Sequence, residues 1–309
     1  MKIIFMGTPH FAVPSLDILV KNGYEIVAVV TATDKMGGRH GLLKSAVKQY
    51  AEANNIHVLQ PEKLKNAEFL AELRSLEADL QIVVAFRMLP EVVWNMPKFG
   101  TMNLHGSLLP KYRGAAPINW AIINGDAETG CTTFLLQHEI DTGDLLFQAK
   151  MPIALDENAG SVHDRMMQMG AELVLKSVKA IENNQYSPQP QSDEIATHAP
   201  KIFTETCEIK SHLTCQQTHN LVRGLSPSPA AWTKFDNLLL KIYKTTPPQY
   251  NSDISPFEDK KWIEKDNFRS DGRNFFQIRC SDGWLSVEEL QLEGKKRMNV
   301  KDFLNGYRF

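Results

Sequence analysis

Short apolar runs alternate with helix-period segments from the second residue onward, and that alternation restricts the fold more than any other feature. Lys2 to Met6 is an apolar strand pattern, Gly7-Thr8-Pro9 a tight turn, Phe11 to Lys21 a helical pattern ended by Asn22-Gly23, and Glu25 to Thr31 a second strand. A strand, a helix and a strand in so few residues make a βαβ unit, whose strands run parallel because a helix crosses between them. The pattern continues with a helix from about Lys44 to Asn54, a strand His57 to Leu59, a helix Asn66 to Ser75 and a strongly apolar strand Leu80 to Phe86. A helix-like segment Leu89 to Met96, a buried strand ending near His105 and a helix Ala115 to Ile123 follow. Such a series predicts a Rossmann-like α/β layer architecture, in which ligands bind beyond the carboxyl ends of the strands.

The first turn does not read as a dinucleotide site. A Gly-x-Gly-x-x-Gly fingerprint needs a second glycine so that a pyrophosphate can approach the backbone, and Gly7-Thr8-Pro9-His10-Phe11-Ala12 lacks it. The more informative stretch is Thr101 to Pro117. Asn103 and His105 fall two apart at a strand end, so both side chains share one face. Gly106, Pro110 and Gly114 then punctuate an irregular loop that carries Lys111 and Arg113. A carboxamide donates a hydrogen bond without changing charge and an imidazole titrates near neutrality, so the pair can stabilise negative charge on a carbonyl oxygen under attack. The plainer alternative is that His105 bonds a neighbouring loop and Asn103 caps a turn.

Thr132 to Gln137 and Leu145 to Met151 read as two strands joined by His138-Glu139-Ile140-Asp141-Thr142-Gly143-Asp144. Either this is a turn whose aspartate bonds its own backbone, or it brings a carboxylate to His105, where it would favour the imidazolium and fix its orientation. Asp141, before the Thr-Gly turn, is the better candidate than Asp144, at the start of the outgoing strand.

A long amphipathic helix, Gly160 to Asn183, closes the first domain, and the polar stretch Gln185 to Ile202 with Pro188, Pro190 and Pro200 reads as an extended linker. Beyond it, a short helix (Thr214 to Gly224) precedes apolar strands near Trp232 to Phe235, Leu238 to Tyr243, Asn274 to Arg279 and Gly283 to Leu292. One helix with several strands predicts a small, mostly β, OB-like barrel. The expected division is a catalytic domain over residues 1–184, a linker over 185–204 and a barrel over 205–309. From residue 205 onward there are 16 Lys and Arg against 14 Asp and Glu, and before it 18 against 22. The overall charge of −2 excludes a strong polyanion binder by bulk charge alone, and the second domain's surplus favours nucleic acid only weakly.

Cys131, Cys207, Cys215 and Cys280 are scattered without a CxxC pair or a histidine set at ligand spacing, as buried free thiols of a reducing compartment would be. The amino terminus enters a strand at once and no apolar run reaches membrane-spanning length, so a cytoplasmic protein without a membrane partner or a metal is expected.

Gly7-Thr8-Pro9-His10-Phe11-Ala12, the run Asn103-Leu104-His105-Gly106-Ser107-Leu108-Leu109-Pro110-Lys111-Tyr112-Arg113-Gly114-Ala115-Ala116-Pro117, and Asp141-Thr142-Gly143-Asp144 occur in that order. Together they closely resemble the methionyl-tRNA formyltransferase family of the folate-dependent formyltransferase superfamily. The superfamily shares the Asn, His and Asp; the Arg-Gly-Ala-Ala-Pro extension and the Thr-Pro-x-Phe-Ala turn point to the tRNA branch. The likeness covers nearly the whole chain. It implies that Asn103, His105 and Asp141 are the catalytic trio, that 10-formyltetrahydrofolate is the formyl donor, and that the acceptor is the α-amino group of methionine on initiator tRNA. Folate contacts would fall on Phe86, Arg87, Met88 and Leu89, chiefly through main-chain groups, on Ser107, Leu108, Leu109 and Pro110, and on the loop before Asp141. Contacts to tRNA would come from Arg39, in Gly37-Gly38-Arg39, with Lys35 and Lys44 flanking it, and from Lys241, Lys244, Lys295, Lys296 and Arg297 of the second domain. The chain is expected to act as a monomer.

Two rival readings remain at this stage. A formyltransferase acting on a sugar amine or glycinamide ribonucleotide keeps the chemistry and changes the acceptor, but a small acceptor needs neither the barrel nor the Arg39 loop. An RNA-binding module without catalysis would not need Asn103, His105 and Asp141 together.

Overall fold

The strands of the first half assemble into one sheet. In the computed structural model, which describes residues 1–37, 41–248 and 263–307, the chain divides into two units. The first comprises Met1–Pro117, Gly130–Met151 and His163–His198; the second comprises Ile118–Thr129, Pro152–Val162 and Ala199–Phe309.

The chain begins with β1 (Lys2–Gly7), α1 (Val13–Lys21) and β2 (Glu25–Val30). A two-residue hairpin of β3 (Lys35–Met36) and β4 (Leu42–Leu43) follows, then α2 (Ala46–Ala53), β5 (Val58–Leu59), α3 (Ala67–Ser75) and β6 (Leu80–Val84). The helix starts are capped from the sequence: Ser45 accepts the Lys48 amide at α2, and Asn66 accepts the Glu68 and Phe69 amides at α3, filling donors that a helix start leaves unpaired. Next come α4 (Glu91–Trp94), β7 (Thr101–His105), β8 (Arg113–Gly114), α5 (Pro117–Ile123), β9 (Glu128–Leu135), β10 (Leu145–Pro152), α6 (Ala159–Glu182) and β11 (His198–Ala199).

Seven of these strands form one sheet in the order β10-β9-β7-β6-β1-β2-β5. β1 pairs in parallel with β2 and β6, and β6 in parallel with β7, whereas β7 and β9 are antiparallel. Every residue of β6 is buried, as in a strand covered on both faces. The polarity of the sheet therefore reverses beside β7, and the carboxyl end of β7 is where Asn103 and His105 lie. The helix expected over Leu89 to Met96 is a single turn, Glu91–Trp94: Pro90 stands at its N-cap and its ring disfavours the helical conformation at Leu89, and Asn95 ends it. Residues 185–192 are extended, Asp193–Ile195 make one 3-10 turn, and Leu145 and Gln189 exchange main-chain hydrogen bonds of 2.8 and 2.9 Å.

The second unit holds α7 (Cys215–Leu225), whose start carries a Thr214–Gln217 capping box. Its strands are β12 (Ala231–Phe235), β13 (Leu238–Thr245), β14 (Ile263–Lys265), β15 (Phe268–Ser270), β16 (Phe276–Cys280), β17 (Gly283–Leu292) and β18 (Met298–Asn299), followed by α8 (Val300–Gly306). They form an antiparallel sheet in the order β12-β13-β17-β16-β15-β14, with β18 beside β17. Phe235, Phe268, Phe276 and Phe303 meet inside it. The Phe268 and Phe276 rings stack with centroids 4.6 Å apart, and Phe235 meets Phe268 edge-on at 5.2 Å, the two arrangements aromatic quadrupoles favour.

All four cysteines are buried and free, and burial pushes the Cys131 thiol up to about 12. Among the described residues no helix is long and apolar enough to cross a membrane.

Candidate active site

β7 delivers Asn103 and His105 to the end of the sheet two residues apart, and the loop after it folds back over the imidazole. His105 Nε2 lies 2.8 Å from the Tyr112 carbonyl. A carbonyl only accepts, so Nε2 carries the proton and the tautomer is fixed by the main chain. The other nitrogen, Nδ1, stands 3.7 Å from Asp141 Oδ2, within ion-pair reach and beyond a hydrogen bond. His105 is buried, whereas Asn103 is half-buried and its carboxamide makes no hydrogen bond among the described residues.

The loop over His105 is held from several sides. Thr132, directly opposite His105 in the β7–β9 register, accepts the Leu109 amide (3.1 Å) and donates to the Ser107 carbonyl (2.7 Å). Gln148 donates to the Leu109 carbonyl at 2.8 Å, and Thr197 accepts the Tyr112 amide at 2.8 Å. Ser107 Oγ donates to the Lys111 carbonyl at 2.6 Å. Ser107, Leu109 and Pro110 are thus buried with their polar groups engaged by the protein, and Leu108 is half-buried.

Asp141 sits in the turn between β9 and β10 with φ +56°, a left-handed conformation that aspartate tolerates better than most residues. Its Oδ2 accepts the Gly114 amide at 2.9 Å, so one carboxylate oxygen faces both that N–H and the imidazole. Gly143 makes the turn possible: a Cβ there would stand 1.7 Å from the Leu135 carbonyl oxygen. Asp144 instead uses its main-chain carbonyl to accept the Leu135 amide.

Phe86 to Leu89 leaves the end of β6 through Ala85, at φ +49°. Among the described residues, the main-chain groups of Phe86 to Leu89 form no hydrogen bonds, which leaves donors and acceptors for a ligand. Phe86, Leu89, Trp94 and Leu136 share one apolar cluster, and Met88 is exposed. Arg87 is turned onto the Pro61 and Glu62 carbonyls. The Trp94 ring meets His138 edge-on at 5.5 Å, and His138 Nε2 is 3.6 Å from Glu91. The site therefore has a charge-stabilising corner at His105 and Asp141, and an apolar wall whose open main-chain groups suit a flat heterocycle.

Residues 1–178 match the formyl transferase family and residues 201–308 its C-terminal domain. The chain belongs to the formyl transferase family. Two relatives of this formyl transferase are named methionyl-tRNA formyltransferase. That of Parabacteroides distasonis is 50% identical, with 100% of this chain and 96% of that protein aligned, and that of Phocaeicola vulgatus is 52% identical over the same shares. Among solved structures, an N-formyltransferase from Helicobacter canadensis in complex with folinic acid and dTDP-3-aminofucose superposes with a TM-score of 0.69 at 23% identity, covering 96% of this chain and all of that one. A sugar 3N-formyl transferase with dTDP and 5-N-formyl-THF gives 0.68, also at 23% identity, covering 96% and 99%. These two likenesses speak for the fold.

Of the residues expected to meet tRNA, Arg39 lies outside the described residues. Lys35 is exposed on the β3–β4 hairpin, and Lys44 is exposed and paired with Glu52 at 2.7 Å. Below the hairpin, Lys48 holds Asp34 (2.5 Å) and Gln60 (2.6 Å), and this partnership keeps the Asp34 carboxyl below the usual carboxylate range. In the second unit of this formyl transferase, Lys244 is paired with Glu288 at 2.7 Å and Arg297 with Glu289, while Lys295 and Lys296 are exposed. Sequence reasoning missed Arg269 and Arg279, which flank the Trp284 ring at 4.6 and 5.9 Å. It also missed Thr132, Gln148, Gln191 and Thr197 around the loop over His105 and the Asp141 turn. Thr132 opens a predicted strand, which gives no sign of its contacts; the other three act wholly or partly on main-chain atoms and leave no spacing signal.

Proposed function

We propose that this formyl transferase moves the formyl group of 10-formyltetrahydrofolate to the α-amino group of methionine on initiator tRNA. Relatives of that name at 50 and 52% identity along almost their entire length carry the choice of acceptor. The Asn103, His105 and Asp141 constellation supports the chemistry, and such a substrate puts the reaction in the cytoplasm. The donor supplies an activated formyl carbon, and its pteridine would lie along the open main chain of Phe86 to Leu89 against Phe86, Leu89, Trp94 and Leu136. Ser107, Leu109 and Pro110 serve this reading by fixing the loop, since their polar groups are already engaged.

The amine attacks the formyl carbon and negative charge develops on the formyl oxygen; the tetrahedral adduct then collapses, the bond from that carbon to N10 of the folate breaks, and the proton lost by the attacking nitrogen balances the one taken up by N10 as tetrahydrofolate leaves. Asn103, whose carboxamide is uncommitted, donates to that oxygen. The Nδ1 edge of His105 makes no hydrogen bond among the described residues, so an imidazolium proton there donates to the oxygen, with the Asp141 carboxylate 3.7 Å away as its counter-charge. The carboxylate stabilises the imidazolium and assists removal of the proton from the attacking nitrogen, directly or through water. The test is release of tetrahydrofolate from 10-formyltetrahydrofolate on addition of methionyl initiator tRNA. Release with a dTDP-linked amino sugar and none with the charged tRNA would transfer the assignment to a small-amine formyltransferase.

A further inference from the structure

The Asp141 turn is held by a residue that lies between the two family-matched regions. Gln191 belongs to the extended stretch after α6 and folds its carboxamide against the turn. Its Nε2 donates to the main-chain carbonyls of Asp141 (2.9 Å) and Gly143 (2.8 Å), and its Oε1 accepts from Arg113 Nε (3.1 Å) and Nη2 (2.9 Å). Two carbonyls that only accept and a guanidinium that only donates leave one possible orientation of the amide, and all four of its hydrogen-bonding positions are filled. Arg113 is itself buried and sends Nη1 to Asp193 at 2.8 Å. The next residue, Gly114, donates its amide to Asp141 Oδ2.

These bonds close a ring. It runs from the Arg113 side chain through the Gln191 amide to the Asp141 carbonyl, along that residue to its carboxylate, and back through the Gly114 N–H. We propose that Gln191 is a positioning residue, whose carboxamide bridges Arg113 to the Asp141 turn and thereby sets the Asp141 carboxylate at the Nδ1 edge of His105. This rests on the reading that Asp141 serves formyl transfer. A non-glycine residue at positive φ persists where its surroundings over-determine it, and the Gln191 bonds to both sides of Thr142 supply that constraint. Gln148 and Thr132, by contrast, hold the loop over His105 without touching the Asp141 turn.

The experiment compares the full-length protein with Gln191→Leu, Gln191→Glu and Asp193→Ala, reading kcat, KM for each substrate, thermal midpoint and the hydrogen-exchange rate of the Gly114 amide. Gln191→Leu removes every bond of the bridge while keeping volume. It is expected to lower kcat by roughly 10²-fold, as a carboxylate displaced by about an ångström would, with KM unchanged and Gly114 exchange quickened. Gln191→Glu keeps the acceptor for Arg113 but turns an oxygen toward two carbonyls; it gives the same split, and decides the matter if Gln191→Leu does not fold. Asp193→Ala touches Arg113 only from outside and leaves kcat and exchange at wild-type values. Wild-type kcat in the Gln191 variants, or a lowered kcat with unchanged Gly114 exchange, overturns the proposal. Should wild-type protein not formylate methionyl-tRNA, the Gly114 exchange alone decides whether Gln191 sets the carboxylate.

Discussion

His105 and Tyr112 are joined by a 2.8 Å hydrogen bond from Nε2 to the main-chain carbonyl, so the loop that follows the strand chooses the tautomer of the histidine that ends it. The edge left for chemistry is Nδ1, which faces Asp141. His105→Gln can still donate to the Tyr112 carbonyl, but it brings neither the Nδ1 donor to the formyl oxygen nor a positive charge beside Asp141. Both His105→Gln and Asn103→Ala are expected to lower kcat by ~10²–10³, the usual cost of one oxyanion donor, with tRNA affinity within about twofold. Unimpaired formylation by His105→Gln would remove the imidazole from the reaction; titration of tRNA binding in parallel separates catalysis from affinity.

Gly143 allows the return of the Asp141 turn, because the Leu135 carbonyl oxygen stands where a Cβ would go, 1.7 Å away. Backbone cannot yield as a flexible side chain can, so Gly143→Ala must displace the turn. A fall in kcat of at least about 10-fold is expected, following the steep distance dependence of a positioned catalytic group. Wild-type kcat in this variant would mean that the turn relaxes without carrying the carboxylate away.

The alternation of strands and helices in the first unit was legible because buried parallel strands and amphipathic helices have different periods, and Leu80 to Val84 could hardly be anything but a covered strand. The pairing of Asn103 with His105 followed from the two-residue repeat of a strand. The meeting of His105 and Asp141 did not follow from spacing; it came from resemblance, and in the structure the two lie 3.7 Å apart. Ile263–Lys265 and Phe268–Ser270 escaped notice because three residues cannot establish a period, and α8 because its buried Val300, Phe303 and Leu304 span under two turns. Gln191 was illegible for a different reason. Two of its four bonds go to main-chain carbonyls, which any residue presents, and its Pro-bearing surroundings carry the composition of a linker.

Lys295 and Lys296 are exposed in the β17–β18 connection, whereas Lys244 and Arg297 already face carboxylates. Lys295 and Lys296 have no ion pair among the described residues, and unpaired ammonium groups release counterions from phosphates more fully than paired ones, so these two lysines are expected to dominate the salt dependence of tRNA binding from this face. The double variant Lys295→Gln, Lys296→Gln is expected to reduce the slope of log K against log salt by about one to two. Filter binding across a salt series measures it, and an unchanged slope would take this connection out of the tRNA interface.

His219 supplies a pH dependence of stability in the second unit. Its Nε2 donates to the Leu155 carbonyl (3.0 Å) and its Nδ1 accepts from Thr245 Oγ1 (2.8 Å), so the fold is built around the neutral ring. Burial holds the imidazole below its ordinary value, and the nearby Arg223 charge acts in the same direction against the bond to Leu155. The unfolded chain takes up a proton at about 6.5 where the folded ring resists it. The contribution is therefore complete above that pH and is lost as the pH falls below it. One proton limits the slope to about 1.4 kcal/mol per pH unit. Wild-type protein should lose stability between pH 7 and 5.5 more steeply than His219→Gln, which titrates nothing at this position. The lowered carboxyls of Asp271 and Asp282 act in a separate window, toward and below pH 4, so they do not mask the difference. Equal slopes for the two proteins in urea unfolding across that range would show that His219 is protonated in the fold at no cost.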